Sequence, residues 1–274
     1  MSSPVEAVGP ATSDVLVEVD GAVLRLTMNR PGSFNAMSPA MNLALTAEIR
    51  GAAVRDDVRL VVLTGAGDAF CAGADISTDD SGVDAIERFD VRAMDAANAL
   101  VRAIVECPKP VLAAVNGIAA GVGCSVALAA DIIVARDSAT FLLAFARIGF
   151  MPDGGSSATV AAAIGRARAM RMALLAEPLS AQEAYDAGLV THLAPAASHD
   201  DLVATLSRRL VAGAPLAQTA TKRAINAATL TGPWGLDPAL ERERTGQTVL
   251  MRTADAGEGM RAFAEGRRPV FRGE

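Results

Sequence analysis

Apolar positions along this chain follow two different rhythms. Between residues 14 and 28 they alternate with polar ones: Val15, Val17 and Val19 lead into an Asp20-Gly21 turn, and Val23, Leu24, Leu26 and Met28 return, which predicts a β-hairpin. Farther on, Leu60-Val61-Val62-Leu63-Thr64-Gly65 and Pro110-Val111-Leu112-Ala113-Ala114-Val115 are continuous in Val, Leu and Ala. Such runs suit parallel strands covered on both faces. Helices are expected between them. Ser38-Pro39 supplies an N-cap and a first-position proline to a helix with Met41, Leu45 and Ile49 on one face. Phe89, Met94, Ala97, Leu100, Val101 and Ile104 are helically spaced from Ile86 to Glu106, where Pro108-Lys109-Pro110 ends the run. A helix from Gly121 to Ala130 and a strand over Asp131-Ile132-Ile133-Val134-Ala135 continue the alternation. That order describes an α/β fold with right-handed crossovers, and no fixed internal repeat argues for a solenoid.

Beyond Gly149 the pattern changes. Ser180 and Glu183 form a capping box that opens a helix ended by Gly188, and four helical stretches run from about Asp200 to Glu265. A run of helices cannot extend a sheet. The expected organisation is a leader over 1–13, small, Pro-containing and mobile; an α/β core over 14–199; and a C-terminal helical region over 200–274. Ser77 to Gly82 is polar without a hydrophobic period and is expected to be a loop, a candidate lid.

Composition narrows the partners. The 274 residues carry a formal charge of −6, which disfavours nucleic acid or an anionic membrane as the main partner, while leaving room for a local basic patch that meets a phosphorylated cofactor. Cys71, Cys107 and Cys124 are an odd set without CxxC spacing, and neither a signal peptide nor a spanning segment is evident, so the default compartment is a reducing cytoplasm. His192 and His199 are too few for a zinc site, and no metal is expected.

Chemistry enters with two glycine-rich turns, Cys71-Ala72-Gly73-Ala74-Asp75 and Asn116-Gly117 through Gly121-Val122-Gly123. Each lies where an apolar strand gives way to a helix, so each is able to aim unpaired backbone N–H groups at one ligand oxygen, the requirement of an oxyanion hole. Tight strand-to-helix connection is the alternative role. In order and spacing, Thr64-Gly65-Ala66-Gly67 through Phe70-Cys71-Ala72-Gly73-Ala74-Asp75, with Ala114-Val115-Asn116-Gly117, resemble the crotonase superfamily of enoyl-CoA hydratases and isomerases. The resemblance runs from Arg30-Pro31 and Asn35-Ala36 to Glu258-Gly259-Met260-Arg261-Ala262-Phe263.

The resemblance implies a crotonase-type α/β spiral of ββα units, with the helical tail packing across the interface of a homotrimer or a dimer of trimers. It implies an acyl-CoA substrate, coenzyme A being the thioester part of that substrate and no cofactor being held permanently. The oxyanion donors would be the N–H groups of Ala74 and Val122. Arg30 would lie near the CoA phosphates; Ala72, Asp75 and Ile76 belong to the loop that receives adenine and pantetheine; Phe263 would approach the adenine from a neighbouring subunit. The lysine common near that last position is Gly266 here, for which Arg267 is a candidate substitute. Both arginines could instead be surface residues without a ligand.

One departure changes the expected reaction. The two glutamates with which hydratases of this family hold water align with Ser125 and Phe145, and neither residue is a base at neutral pH. An acid follows instead in Gly149-Phe150-Met151-Pro152-Asp153-Gly154-Gly155. An acidic residue after a proline, with Phe at 145, is similar to Δ3,Δ2-enoyl-CoA isomerases and to the ring-opening isomerase of phenylacetate breakdown. Shifting a β,γ double bond needs only one shuttling base, and apolar surroundings (Phe145, Phe150, Met151) are expected to raise the Asp153 pKa. The competing role for Asp153 is a helix N-cap or turn residue. Asp131 reads as a cap or ion-pair member, Asp75 as a loop stabiliser or a ligand for water or substrate, Cys124 as buried packing, and Tyr185 and His192 as structural residues of the helical tail. A hydratase that recruits water through Asp153 and Ser125, or a non-catalytic acyl-CoA-binding protein, are the alternative functions.

Overall fold

A computed structural model describes residues 6–7, 14–76 and 91–274. The hairpin forms as its alternation predicts: β2 (Val15–Asp20) pairs antiparallel with β3 (Val23–Met28), and Leu24, Leu26 and Met28 face the core. Within the expected leader, β1 (Glu6–Ala7) pairs with Val19 and Glu18 at the edge of β2. β3 then runs parallel to β4 (Leu60–Gly65), and β6 (Val111–Val115), β8 (Ile132–Arg136) and β11 (His192–Ala194) follow in parallel. The seven-stranded sheet has the order β1-β2-β3-β4-β6-β8-β11.

The continuous apolar runs are explained by cover on both faces. Val61, Leu63, Val111, Ala113 and Val115 join the main core, whereas Leu60, Val62, Leu112, Ala114 and Val134 pack on Val203 and Leu206 of helix α6 (Ala196–Ala212). Alternate side chains of one strand thus meet different layers, and neither set is free to be polar.

A second, four-stranded sheet lies beside the first: β5 (Ala69–Cys71), β7 (Ile118–Ala120), β9 (Thr140–Leu142) and β10 (Leu179–Ser180), in the order β10-β9-β7-β5. Its strands are two or three residues long, too short to show a hydrophobic period. The expected helix over 121–130 is therefore preceded by strand β7 and shortened to α3 (Val122–Leu128). Long strand, short strand and helix recur as β4-β5-α2, β6-β7-α3 and β8-β9-α4, with α2 at Val91–Glu106 and α4 at Ser156–Leu174, which is the repeated ββα unit that the resemblance implies.

Ser38 caps α1 (Pro39–Val54) by accepting from the Met41 N–H at 3.1 Å, and the Ser180/Glu183 capping box opens α5 (Ala181–Asp186). Four helices close the chain: α6, α7 (Pro215–Thr229), α8 (Leu236–Leu250) and α9 (Ala254–Ala264). His192, read as part of the helical tail, instead opens strand β11. The candidate lid Ser77–Gly82 and the expected helical turn around Phe89 lie outside the described residues.

Candidate active site

Two buried asparagines shape the first glycine turn. Asn116 Nδ2 donates to the carbonyls of Gly65 (3.0 Å), Gly67 (2.7 Å) and Ala69 (3.1 Å), while its Oδ1 accepts from the Gly65 N–H. Asn35 Nδ2 donates to Ala66 and Ala69 at 2.9 and 2.8 Å. Loop carbonyls buried between strands β4 and β5 need such donors, because water is excluded there.

The turns touch at glycine. Gly73 (φ +108°) and Gly121 (φ +52°) have backbones that L side chains rarely adopt; a Cβ on Gly73 would stand 3.1 Å from the Ala120 carbonyl oxygen, and one on Gly121 3.7 Å from the Gly73 Cα. The residue after each glycine carries a predicted donor. Neither the Ala74 N–H nor the Val122 N–H has an acceptor among the described residues, although Asp75 N–H donates to Met37 and Gly121 N–H to Leu142 beside them. Val122 is also the first residue of α3, whose aligned peptides favour negative charge at that end.

Asp153, whose main chain meets α3 through Ser125, is only 4 % exposed. Its main chain is fixed by Ser125, one turn into α3, whose Oγ donates to the Asp153 carbonyl at 2.7 Å, and by Ser156 Oγ at 2.8 Å. Its side chain is much less satisfied. Oδ2 accepts a long bond of 3.5 Å from Gln247 Nε2, and Oδ1 has no partner. Burial, and secondarily the Glu243 carboxylate, push the Asp153 pKa up to about 8, against which the Gln247 bond works. The N-cap of α4 is Gly155, so Asp153 does not serve as the cap.

Sequence reading found no second acid near Asp153; the structure places one there. Glu243, fully buried on α8, accepts from the Gly155 N–H at 2.7 Å and the Ser157 N–H at 2.9 Å, capping α4 from another helix. Burial raises its pKa while those bonds oppose the rise. One turn on, Gln247 accepts from the Met151 N–H at 3.0 Å and donates to the Met151 carbonyl at 3.1 Å. The signal was present in the sequence: Leu236, Leu240, Glu243 and Gln247 occupy one helical stripe, and polar residues within an apolar stripe call for buried partners.

Residues 18–274 match the family model described as enoyl-CoA hydratase/isomerase. The chain belongs to the enoyl-CoA hydratase/isomerase family. It is 40% identical over 258 residues to a probable enoyl-CoA hydratase of Rhodobacter capsulatus, covering 93% of this chain and 96% of the relative. It is 37% identical over 270 residues to 1,2-epoxyphenylacetyl-CoA isomerase of Escherichia coli, covering 95% and 98%. Among solved structures, an enoyl-CoA hydratase from Mycobacterium avium subsp. paratuberculosis superimposes with a TM-score of 0.88 at 44% identity, over 96% of this chain and 100% of that one. The fold is therefore the crotonase fold, with its C-terminal helices.

In this family member the first-turn loop is tied by charge. Arg30 Nη1 lies 2.7 Å from Asp75 Oδ2 and donates to the Ala36 carbonyl at 2.7 Å, and Asp14 stands 3.8 Å from Arg30 Nε. Arg30 and Asp75, read separately from the sequence, are thus one ion pair beside exposed Ala72 and half-buried Ile76. Phe263 lies on α9, 61 % exposed. Arg267 is paired with Glu258 at 2.5 and 3.0 Å and with Glu265 at 2.5 Å. Cys124 is buried, its thiol pushed up to about 12, which suits packing and not nucleophilic attack. Asp131 accepts from the Val111 N–H and pairs with Lys222, both at 2.7 Å. No helix among the described residues is long and apolar enough to cross a membrane, and no group of three or more His, Cys, Asp or Glu there is arranged to hold a metal ion.

Proposed function

We propose that this enzyme is an enoyl-CoA isomerase, which converts a 3-enoyl-CoA into the 2-enoyl-CoA. The observation that carries the reading is Asp153: a buried carboxylate with one oxygen unpartnered, in a chain whose positions 125 and 145 hold serine and phenylalanine. The thioester carbonyl oxygen accepts from the Ala74 and Val122 N–H groups, which have no acceptor of their own among the described residues. Asp153 takes a proton from C2, and the electron pair moves onto the carbonyl oxygen as an enolate. Each donor there contributes roughly 3–4 kcal/mol to stabilising that charge. The protonated acid then returns the proton at C4, the double bond settles between C2 and C3, and the carboxylate is regenerated. A base near pKa 8 is matched to this shuttle, since it both removes and returns the proton near neutrality.

The same reading assigns the coenzyme A moiety of the substrate to the loop of Ala72, Asp75 and Ile76 with Arg30 at its edge, and the approach of Phe263 to the adenine across a subunit boundary. A homotrimer, or a dimer of such trimers, is supported by α7, which buries no residue and leaves Leu216 85 % exposed. Sedimentation of the purified protein as a monomer would remove that assembly.

The deciding experiment offers the wild type and Asp153→Asn 3-enoyl-, 2-enoyl- and ring-epoxide CoA esters, with products separated and identified. The wild type is expected to isomerise the 3-enoyl ester faster than it hydrates the 2-enoyl ester. Asp153→Asn is expected to lose turnover while still binding CoA esters. An active Asn variant, or hydration as fast as isomerisation, overturns the proposal.

A further inference from the structure

The mechanism above uses Asp153 but leaves unexplained why α8 sends two polar side chains into the core behind it. Glu243 and Gln247 are one helical turn apart and both almost inaccessible to solvent. Between them they bind Met151 through both of its main-chain groups and the N–H groups of Gly155 and Ser157, so they grip the chain on each side of Asp153. Gln247 also reaches Oδ2 of Asp153, whereas Oδ1 is left without a partner.

We propose that Glu243 and Gln247 are positioning residues for Asp153: together they fix its loop, hold Oδ2, and leave Oδ1 as the oxygen that exchanges the substrate proton. The inference rests on Asp153 being the base. Its physics separates the two residues. Glu243 is a carboxylate anchored by two backbone donors at the N-terminus of α4, where negative charge is favoured, so of the two acids it ionises first. Its charge then opposes ionisation of Asp153, making that carboxylate the stronger base. Gln247 acts the other way, because a hydrogen bond donated to Oδ2 favours the ionised form. The remaining groups against Asp153, Ser125 from α3 and Ser156 from α4, are uncharged and bind its carbonyl, not its carboxylate. Arg242, whose charge lowers the Glu243 pKa, acts on Glu243 and not on Asp153 directly.

The two side chains consequently have opposite signatures, which a purely structural role does not produce. The experiment measures the pH profile of kcat/KM on a 3-enoyl-CoA for Glu243→Gln, Glu243→Asp and Gln247→Met in the full-length enzyme. It also follows the Asp153 carboxyl by carbon-13 NMR in aspartate-labelled protein, with the resonance assigned from Asp153→Asn. Glu243→Gln is expected to move the acid limb and the NMR titration down by roughly one pH unit. Gln247→Met is expected to move both up, and Glu243→Asp, which keeps the charge, to leave them near the wild type. Should Glu243→Gln fail to fold, Gln247→Met still decides the matter, since an unmoved or lowered limb in that variant overturns the inference. A Glu243→Gln or Gln247→Met variant that loses rate with an unmoved limb and titration, or a shift of those two variants in the same direction, overturns the inference. If Asp153→Asn remains active the catalytic assignment fails, yet the NMR titration still reports whether α8 sets the acidity of Asp153.

Discussion

Ser125 Oγ donates a 2.7 Å hydrogen bond to the main-chain carbonyl of Asp153, across 28 residues of sequence, and so couples helix α3 to the loop that carries the buried acid. The helix bears the Val122 N–H at its first residue, so this hydroxyl ties the element of the proposed oxyanion donor to the loop of the proposed base. Position 125, which the sequence resemblance aligns with a hydratase glutamate, is here a serine that fixes this loop.

Ser125→Ala removes that bond and leaves the Asp153 carbonyl to Ser156. The loss of a buried hydrogen bond costs about 1 kcal/mol of stability, and a slight drift of the base costs more in rate. Turnover is expected to fall roughly tenfold or more, with the affinity for a CoA ester nearly unchanged. Steady-state kinetics beside calorimetric titration of a saturated acyl-CoA checks the split; equal loss in both would place Ser125 in binding.

Asn116→Ala leaves three loop carbonyls, those of Gly65, Gly67 and Ala69, short of a donor. Ala69 keeps its bond from Asn35, so the cost falls on the other two carbonyls and on the Gly65 N–H, which loses Oδ1 as its acceptor, at about 1–3 kcal/mol for each buried group. Urea unfolding is expected to show a loss of roughly 3 kcal/mol, accompanied by lower turnover because the Ala74 donor sits at the end of this turn. An unchanged urea midpoint would show that water enters the loop.

Much of this site is legible in the sequence because its signals are local. The hairpin, the Ser38 cap, the Ser180 capping box and the two glycine turns each depend on neighbours a few residues away, and each is found where its residues predict. The four-stranded sheet was not legible, since two- and three-residue strands are defined by their partners alone. Glu243 escaped for a similar reason: it is an N-cap supplied across 86 and 88 residues of sequence, and cap motifs look only within a turn. The Arg30–Asp75 pair joins two residues that the sequence did not link, one read as lying near the CoA phosphates and the other as a loop stabiliser or ligand, because charge pairing across a fold follows no spacing rule.

That pair yields its own prediction. Arg30 and Asp75 are about a quarter and a fifth exposed, so their attraction adds at most about 1 kcal/mol to stability. If the cation also faces the CoA phosphates, Arg30→Ala raises KM for the CoA ester several-fold at low salt, and the difference from the wild type shrinks as salt screens the phosphate. Turnover at saturation is expected to hold. A KM unaffected by the substitution at every ionic strength would confine Arg30 to holding the loop.

The last prediction concerns stability and needs no substrate. In the unfolded chain Asp153 titrates near 3.9, whereas burial and Glu243 carry it to about 8 in the fold. Between those values the folded state holds a proton that the unfolded chain has released, so stability falls as pH rises. The contribution is complete below about pH 4 and is lost as pH climbs through 8. Glu258, held at about 2 chiefly by Arg267, works in the opposite sense but only as pH falls below the usual carboxylate range, so it does not enter this window. Asparagine cannot ionise. Thermal unfolding followed from pH 5 to 9 is therefore expected to show a decline in the wild type that is flatter in Asp153→Asn, the residue of slope belonging to Glu243 and Asp131, whose pKa values burial also raises. Parallel curves for the two proteins would mean that the Asp153 carboxylate is hydrated in the fold, and a hydrated carboxylate is too weak a base to carry the proton from C2 to C4 near neutral pH.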